Sequence, residues 1–438
     1  MHSKKLVILS LSLVVLLSTV LIGMRAFNGL SHSAVNQGRT SDAPLQNASA
    51  ADRQIISAQA VIKRAPSDAK GYNLLAAAFM QKAREAQDFS LNKKAGEALE
   101  RSLQLWPDNY DGLKLHAKLM LTFHRFEEAL EVARRVQAVS PRDHDNYGAM
   151  TDALVELGEY PAAVEAAQKM VDLRPDTSSY SRISYLRWLH GDTKGAIEAM
   201  RLAAQSANPQ DAERVAWCHV QLGEALLNAG ERVAAAREFD RALFYFPDYG
   251  GALDAKARIL VASGDVEGAI EIYRREYGRE PGADTALALG NLYMKLGRTD
   301  DANTHYAAFE SLERENATVE NDMHHLVLYW LDHDQNLDEA LALARKERER
   351  RKDVYTCDTL AWALYKKGLF EEARTASDEA LRLGTRDPAF LYHAGMIAQA
   401  LGQRDDAAKY LRKALAINPS FDVLQADIAR RTLATRSA

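Results

Sequence analysis

The chain has 438 residues, 47% apolar and 26% charged, the balance of a folded globular protein rather than a disordered one. A formal net charge of −5 argues against broad nucleic-acid binding, which needs a positive footprint. The two cysteines, Cys218 and Cys357, form no Cys-x-x-Cys pair, which excludes a zinc ribbon or a thioredoxin-like centre.

Residues 1–34 read as a unit of their own. Lys4 and Lys5 precede an uncharged run of 19 residues, Leu6–Met24. A secretory core is usually about 7–15 residues and a spanning helix about 20, so the run predicts an uncleaved signal-anchor. The alternative is a cleaved secretory signal, but His32 stands at the −3 position, where cleavage after Ala34 would want a small side chain. No cysteine follows closely to carry a lipid. Two lysines before the run and Arg25 after it place the N-terminus inside. Both readings put the remainder outside the cytoplasm, single-pass at a cell membrane or free in the periplasm. Residues 35–50 are small and polar and read as a flexible linker. Asn47 and Asn316 head glycosylation-type triplets, which are frequent by chance.

From residue 51 to 438 the pattern is helical, and no segment shows a convincing period of two. A lone helix over 52–65 ends at Pro66. Ten alanines then recur with a period near 34: Ala95, Ala129, Ala163, Ala196, Ala235, Ala269, Ala302, Ala340, Ala373 and Ala407. Five residues before the alanine stands Gly158, Gly191, Gly230, Gly264, Gly297, Gly368 or Gly402; twelve after it stands Pro107, Pro141, Pro175, Pro247, Pro281 or Pro419. The glycine suits a left-handed helix end, the alanine a close helix approach, and the proline a helix stop. Unit one has a stretched connection between Phe79 and Ala95, unit eight lacks both glycine and proline, and extra residues fall at 206–213 and 311–321. Those two stretches read as loop insertions, with joints between sub-blocks as the alternative. A last helix is expected over 421–434, with Leu424, Ile428 and Leu433 on one stripe, as a cap on an otherwise wet apolar face.

Two copies spell the unit out. One runs Leu222, Gly223, Leu226, Gly230, Ala235, Phe239, Ala242, Pro247; the other runs Ala394, Gly395, Ala398, Gly402, Ala407, Leu411, Ala414, Pro419. These residues resemble the tetratricopeptide repeat over about residues 70 to 420. The resemblance implies an all-α, right-handed α-solenoid of about ten helix pairs with terminal capping helices. It also implies a concave face lined by the first helix of each pair, where ligands of this family lie. Cys218 and Cys357 then sit four units apart, too far for a disulfide, and should be free and buried.

Enzyme signatures are absent: no Gly-rich phosphate loop, no Gly-x-Ser-x-Gly and no His-Glu-x-x-His. The chain is therefore read as non-enzymatic and without a cofactor. His325 and His333 are weak metal candidates, because eight residues is a poor ligand spacing on one helix. The basic run 345–352 reads as a solvated helix end. Aligning the units at Gly223 nominates groove residues. Units four and five supply Arg182, Tyr185, Trp188, Trp217, Glu224 and Asn228, and units six and seven supply Asp254, Arg258 and Asn291. Units eight to ten supply His325, Tyr329, Asp358, Trp362, Tyr365, Tyr392 and His393. Aromatics and arginine mixed with amides are what interaction hot spots use, and packing between helices is the alternative for each. The lysine–asparagine clamp that some family members use for a C-terminal carboxylate is missing: units two and three carry Lys114, Lys118, Gly148 and Asp152 there, and Asp152 would repel a carboxylate.

The reading is thus a membrane-anchored interaction scaffold, similar to bacterial exported tetratricopeptide proteins. It would take a protein or peptide partner in its groove and support an envelope complex. The alternative is metal or small-solute delivery through the C-terminal His and Asp residues.

Overall fold

A computed structural model describes residues 50–86, 90–279, 281–316 and 323–435. The expected anchor at 1–34 and all of the expected linker except Ala50 lie outside the described residues. Among the described residues no helix is long and apolar enough to cross a membrane, and there is no strand.

The first helix, α1, spans Ala50–Arg64. Ten helix pairs follow. They are α2 Ala69–Ala86 with α3 Leu91–Leu105, α4 Tyr110–Thr122 with α5 Phe126–Val139, and α6 His144–Glu156 with α7 Tyr160–Leu173. Next are α8 Thr177–Leu189 with α9 Thr193–Gln205, α10 Ala212–Asn228 with α11 Arg232–Tyr245, and α12 Gly250–Ala262 with α13 Val266–Arg279. The last four are α14 Ala283–Lys295 with α15 Thr299–Asn316, α16 His324–Asp332 with α17 Leu337–Arg350, α18 Val354–Lys366 with α19 Phe370–Ala380, and α20 Pro388–Ala400 with α21 Arg404–Ile417. The terminal helix α22 spans Gln425–Ala434. This is the expected all-α solenoid with a lone helix at each end.

Local chemistry accounts for the pairs. The ten alanines are each at most 1% exposed, so every unit places its methyl where the two helices cross most closely. Where the facing position is also glycine the approach is tighter still: a Cβ at Gly223 would stand 2.3 Å from the Phe239 ring. Helices α3, α5, α7, α11, α13 and α21 stop two residues before the unit-ending prolines, as the residue preceding a proline leaves the helical region. Several first helices start on side-chain caps: Asn109, Asp143, Asp176, Asp211, Asp353 and Asp387 accept N–H bonds from the first turn. His124 takes the glycine place in unit two at φ 54°, and unit eight makes its turn with Asp334 and Asn336 at positive φ.

Two expectations change. The extra residues at 311–316 are not loop: they prolong α15 to Asn316. The stretched connection of unit one goes largely into an α2 that runs on to Ala86. First helices of neighbouring units touch in units one to four, five to six and eight to ten. No comparable contact joins second helices, so the first helices form the inner, concave side. That inner contact thins between units four and five, six and seven, and seven and eight. The first and last of these are the lengthened intervals, so extra chain there loosens the inner stack.

The stack also closes on itself. The turns of units three and four meet the junctions between units eight, nine and ten. The Lys352 N–H donates to the Glu156 carbonyl at 2.8 Å, and Arg351 Nε donates to the Glu156 carboxylate at 2.6 Å. The Val354 N–H donates to the Tyr160 hydroxyl at 2.9 Å, the Thr385 hydroxyl to the Leu189 carbonyl at 2.6 Å, and Trp188 Nε1 to the Tyr355 hydroxyl at 3.2 Å. Val354, Cys357, Ala380 and Phe390 are buried in the same core as units one to four. Five to six units separate the partners, so one superhelical turn takes about six units. Gly158 has φ +73°, and a Cβ there would stand 2.5 Å from the Lys352 carbonyl oxygen; Gly191 meets Gly384 the same way.

Gly158 thus serves two purposes, and Gly297, at the same φ with open space around it, serves one. Gly297→Ala is expected to cost about 1 kcal/mol from backbone strain. Gly158→Ala is expected to cost about 1–3 kcal/mol more, because the seam must also yield. Thermal melts of the two variants measured side by side check the difference.

Candidate functional site

From unit three onward the concave face divides into three stretches. In units three and four, Arg182 is buried and donates to Asp152 through Nε at 2.8 Å and through Nη2, and to the Ser178 carbonyl at 3.2 Å. The Asp152 charge that the sequence suggested would repel a ligand is thus neutralised within the fold. Tyr185 packs against the core of these units, and Trp188 is spent on the seam through Tyr355.

In units eight to ten the nominated aromatics lie together, packed on one another. Trp362 stacks between His393 at 4.2 Å and Tyr365 at 4.8 Å, and its Nε1 donates to Asp332 at 2.8 Å. The Asp358 carboxylate bonds His393 Nδ1 at 2.8 Å. Burial works against a charge on His393, but Asp358 prevails and raises its pKa. Tyr392 is buried and meets the ring of Phe421, from the C-terminal segment, at 5.6 Å. Tyr329 is buried among Phe309, Tyr306 and His333.

Units five to seven differ. Arg258 bridges neighbouring units: Nε donates to Asp254 at 2.9 Å, while Nη1, at 3.3 Å, and Nη2 donate to Glu224. The Tyr273 hydroxyl donates to the second Asp254 oxygen at 2.6 Å. Even so paired, the Arg258 side chain is 43% exposed. A guanidinium has five N–H donors, so two remain for a ligand. Asn228 stands half-buried at the end of α10, Trp217 half-buried near its start, and Asn291 accepts from the Tyr306 hydroxyl at 2.9 Å, leaving its amide N–H groups.

The metal candidates are not brought together. His325 lies 3.7 Å from Asp284, whereas His333 is wedged between the rings of Tyr306 and Tyr329, and burial lowers its pKa. Among the described residues the one group of three possible ligands is Asp143, His144 and Asp145, and Lys114 Nζ lies 2.5 Å from Asp143, where a cation would sit. The cysteine expectation holds: both are free and buried, and burial pushes Cys218 up to about 12 and Cys357 up to about 11.

The groove nominations passed over Tyr355, Lys295 and Asp332. All three occupy inward-facing repeat positions, so the unit alignment contained the signal; what it lacked was a reason to prefer them. It also gave no sign that residues 421–427 reach back to Lys295 and Asp332.

Comparison with known proteins agrees with the fold. Two family models described as tetratricopeptide repeat match, one over residues 220–284 and one over 388–421. Neither is a catalytic family. A curated relative, cellulose synthase operon protein C of Pseudomonas fluorescens (strain SBW25), is 23% identical over 298 residues, 66% of this chain. The chain spans only 18% of that relative's length. Among solved structures, human IFIT1 is 14% identical with a TM-score of 0.48, covering 75% of this chain and 76% of that one. Pseudomonas aeruginosa PilF is 15% identical with a TM-score of 0.38, covering 47% and 97%. YrrB, described as a TPR protein with an unusual peptide-binding site, is 17% identical with a TM-score of 0.30, covering 46% and 97%. At these TM-scores the three structural likenesses carry no argument about this chain.

Close by the Asp358–His393 pair, burial and the Asp358 carboxylate push Asp387 up to about 6, against the Ala389 N–H that favours its charged form. A carboxyl whose pKa is raised by folding contributes most below about pH 4, and the contribution is lost as pH rises through about 6. Asn caps a helix as well as Asp does. Asp387→Asn should therefore melt higher than the wild type at pH 7 and lose that advantage by pH 4, as a pH series of thermal melts will read.

Proposed function

The chain belongs to the tetratricopeptide repeat proteins, and on that premise we propose that it is a non-enzymatic scaffold, held at a membrane by residues 6–24, that receives a segment of a protein partner on its concave face. The observation that carries this reading is the exposed Glu224–Arg258–Asp254 network of units five and six, where the concave face is not taken up by the seam or the aromatic cluster. Each charged group is already paired within the protein, and with two carboxylates to one guanidinium the network keeps one net negative charge. The two remaining Arg258 donors and the amides of Asn228 and Asn291 suit the carbonyls of an extended peptide. Flanking charges and a few anchors, rather than area, would set specificity.

The uncharged run Leu6–Met24, with its lysines before it, supports the anchor and an outward-facing solenoid. The name of the curated relative ties that protein to a cellulose synthase operon. This supports seeking the partner in a multi-protein assembly of the cell envelope. Metal or solute delivery is disfavoured, because His325 and His333 serve different neighbours.

A photo-cross-linking residue at Asn228 or Asn291 should capture a polypeptide, and Arg258→Ala should weaken that capture about tenfold, the scale of one hot-spot side chain of about 1–2 kcal/mol. Adducts formed only from Phe244, 81% exposed at the end of α11, would count against the groove. Deleting residues 6–24 should move the protein from the membrane to the soluble fraction.

A further inference from the structure

The C-terminal segment does more than cover the last unit. Its polar bonds go back three and two units, to inward-facing ends of first helices. Lys295, the last residue of α14, donates to the Val423 carbonyl at 3.1 Å and to Asp427 at 2.7 Å. Gln425 Nε2 donates at 2.6 Å to Asp332, the same oxygen that accepts from Trp362. Phe421 lies on Tyr392. A cap in the ordinary sense would need only α20 and α21.

We propose that residues 421–434 are a ligand in cis: a strap seated on the concave face of units seven to ten, which a partner segment of like chemistry displaces. The seated segment defines that chemistry as an aromatic residue, an amide four positions on, and an acid two further. The strap is held weakly enough to leave. Lys295 and Asp427 are 26% and 40% exposed at their side chains, so the pair belongs to the weak, solvent-screened class. The fully buried apolar side chains of α22 are only Ala426 and Ala429, while Phe421, Val423, Ile428 and Leu433 are half-buried. An element with so little buried apolar surface opens at low cost relative to the global stability. Lys295 and Asn291 share α14, so a polypeptide running along units five to seven towards unit eight meets the strap at Lys295.

The inference rests on reading the concave face as a polypeptide-binding surface, but its test uses the chain's own segment and needs no outside partner. The full chain is compared with Asp427→Lys, Lys295→Glu and the double swap, by hydrogen exchange over 425–434 and by binding of a labelled peptide spanning residues 419–435. Either single change should speed exchange of α22 about tenfold or more. The peptide should bind the Asp427→Lys chain at least about tenfold more tightly than the wild type, since freeing the site removes the competition. It should not gain on Lys295→Glu, where the groove has lost its cation. The double swap should restore slow exchange. Unchanged α22 exchange in both single variants, or equal peptide binding to all four chains, overturns the strap while leaving a partner cross-linked at Asn228 standing. A peptide that binds as expected upholds it even if Asn228 captures nothing.

Discussion

Glu156 and Arg351 meet in the dry interior of the seam, 195 residues apart, with side chains 1% and 7% exposed. A repeat stack needs only nearest-neighbour contacts to be stable. This pair joins units that are not neighbours, and much else in the molecule follows from it. A buried ion pair stabilises little on net, yet leaving one partner alone costs about 3–5 kcal/mol. A seam shifted by one unit would part Glu156 from Arg351, which would keep only Glu347 and Asp353 from its own edge, so the pair favours one meeting of the superhelical turns. The backbone bond from Lys352 to Glu156 and the missing Cβ at Gly158 bring the two edges close enough for it to form.

Closure decides what the concave face offers. Units three and four spend Trp188 on the seam and Arg182 on Asp152. Units eight to ten spend their aromatics on one another and on Phe421. Units five to seven, bounded by the thinned contacts at four–five and seven–eight, keep a charged and internally paired surface. An open solenoid would present ten similar stretches; this one presents a short stretch flanked by its own packing.

Much of the architecture was legible residue by residue. The period of Ala95 to Ala407 gave the ten pairs, the seven glycines five residues before the alanines all take φ of 73–91°, and the prolines mark helix ends within two residues. Each is a local requirement of backbone or close packing, which a sequence must state in place. The site was half legible. Alignment to Gly223 put Arg258, Glu224 and Asp254 at facing positions of adjacent units, and they do bond across the unit boundary. The same alignment nominated Trp188, Trp362 and Tyr392 without separating a side chain awaiting a ligand from one already in contact with another unit.

That division has one physical cause. Periodic burial, turn geometry and helix stops act over a few residues, so the sequence alone determined the helix pairs, their order and which side of each helix faces inward. The curvature of the stack accumulates from small rotations at every unit, including the loosened steps near 206–213 and after Lys295. No residue encodes that sum. Only the tertiary structure decided that about six units make a turn, that Glu156 meets Arg351, that Lys295 holds Asp427, and hence which part of the concave face stays open.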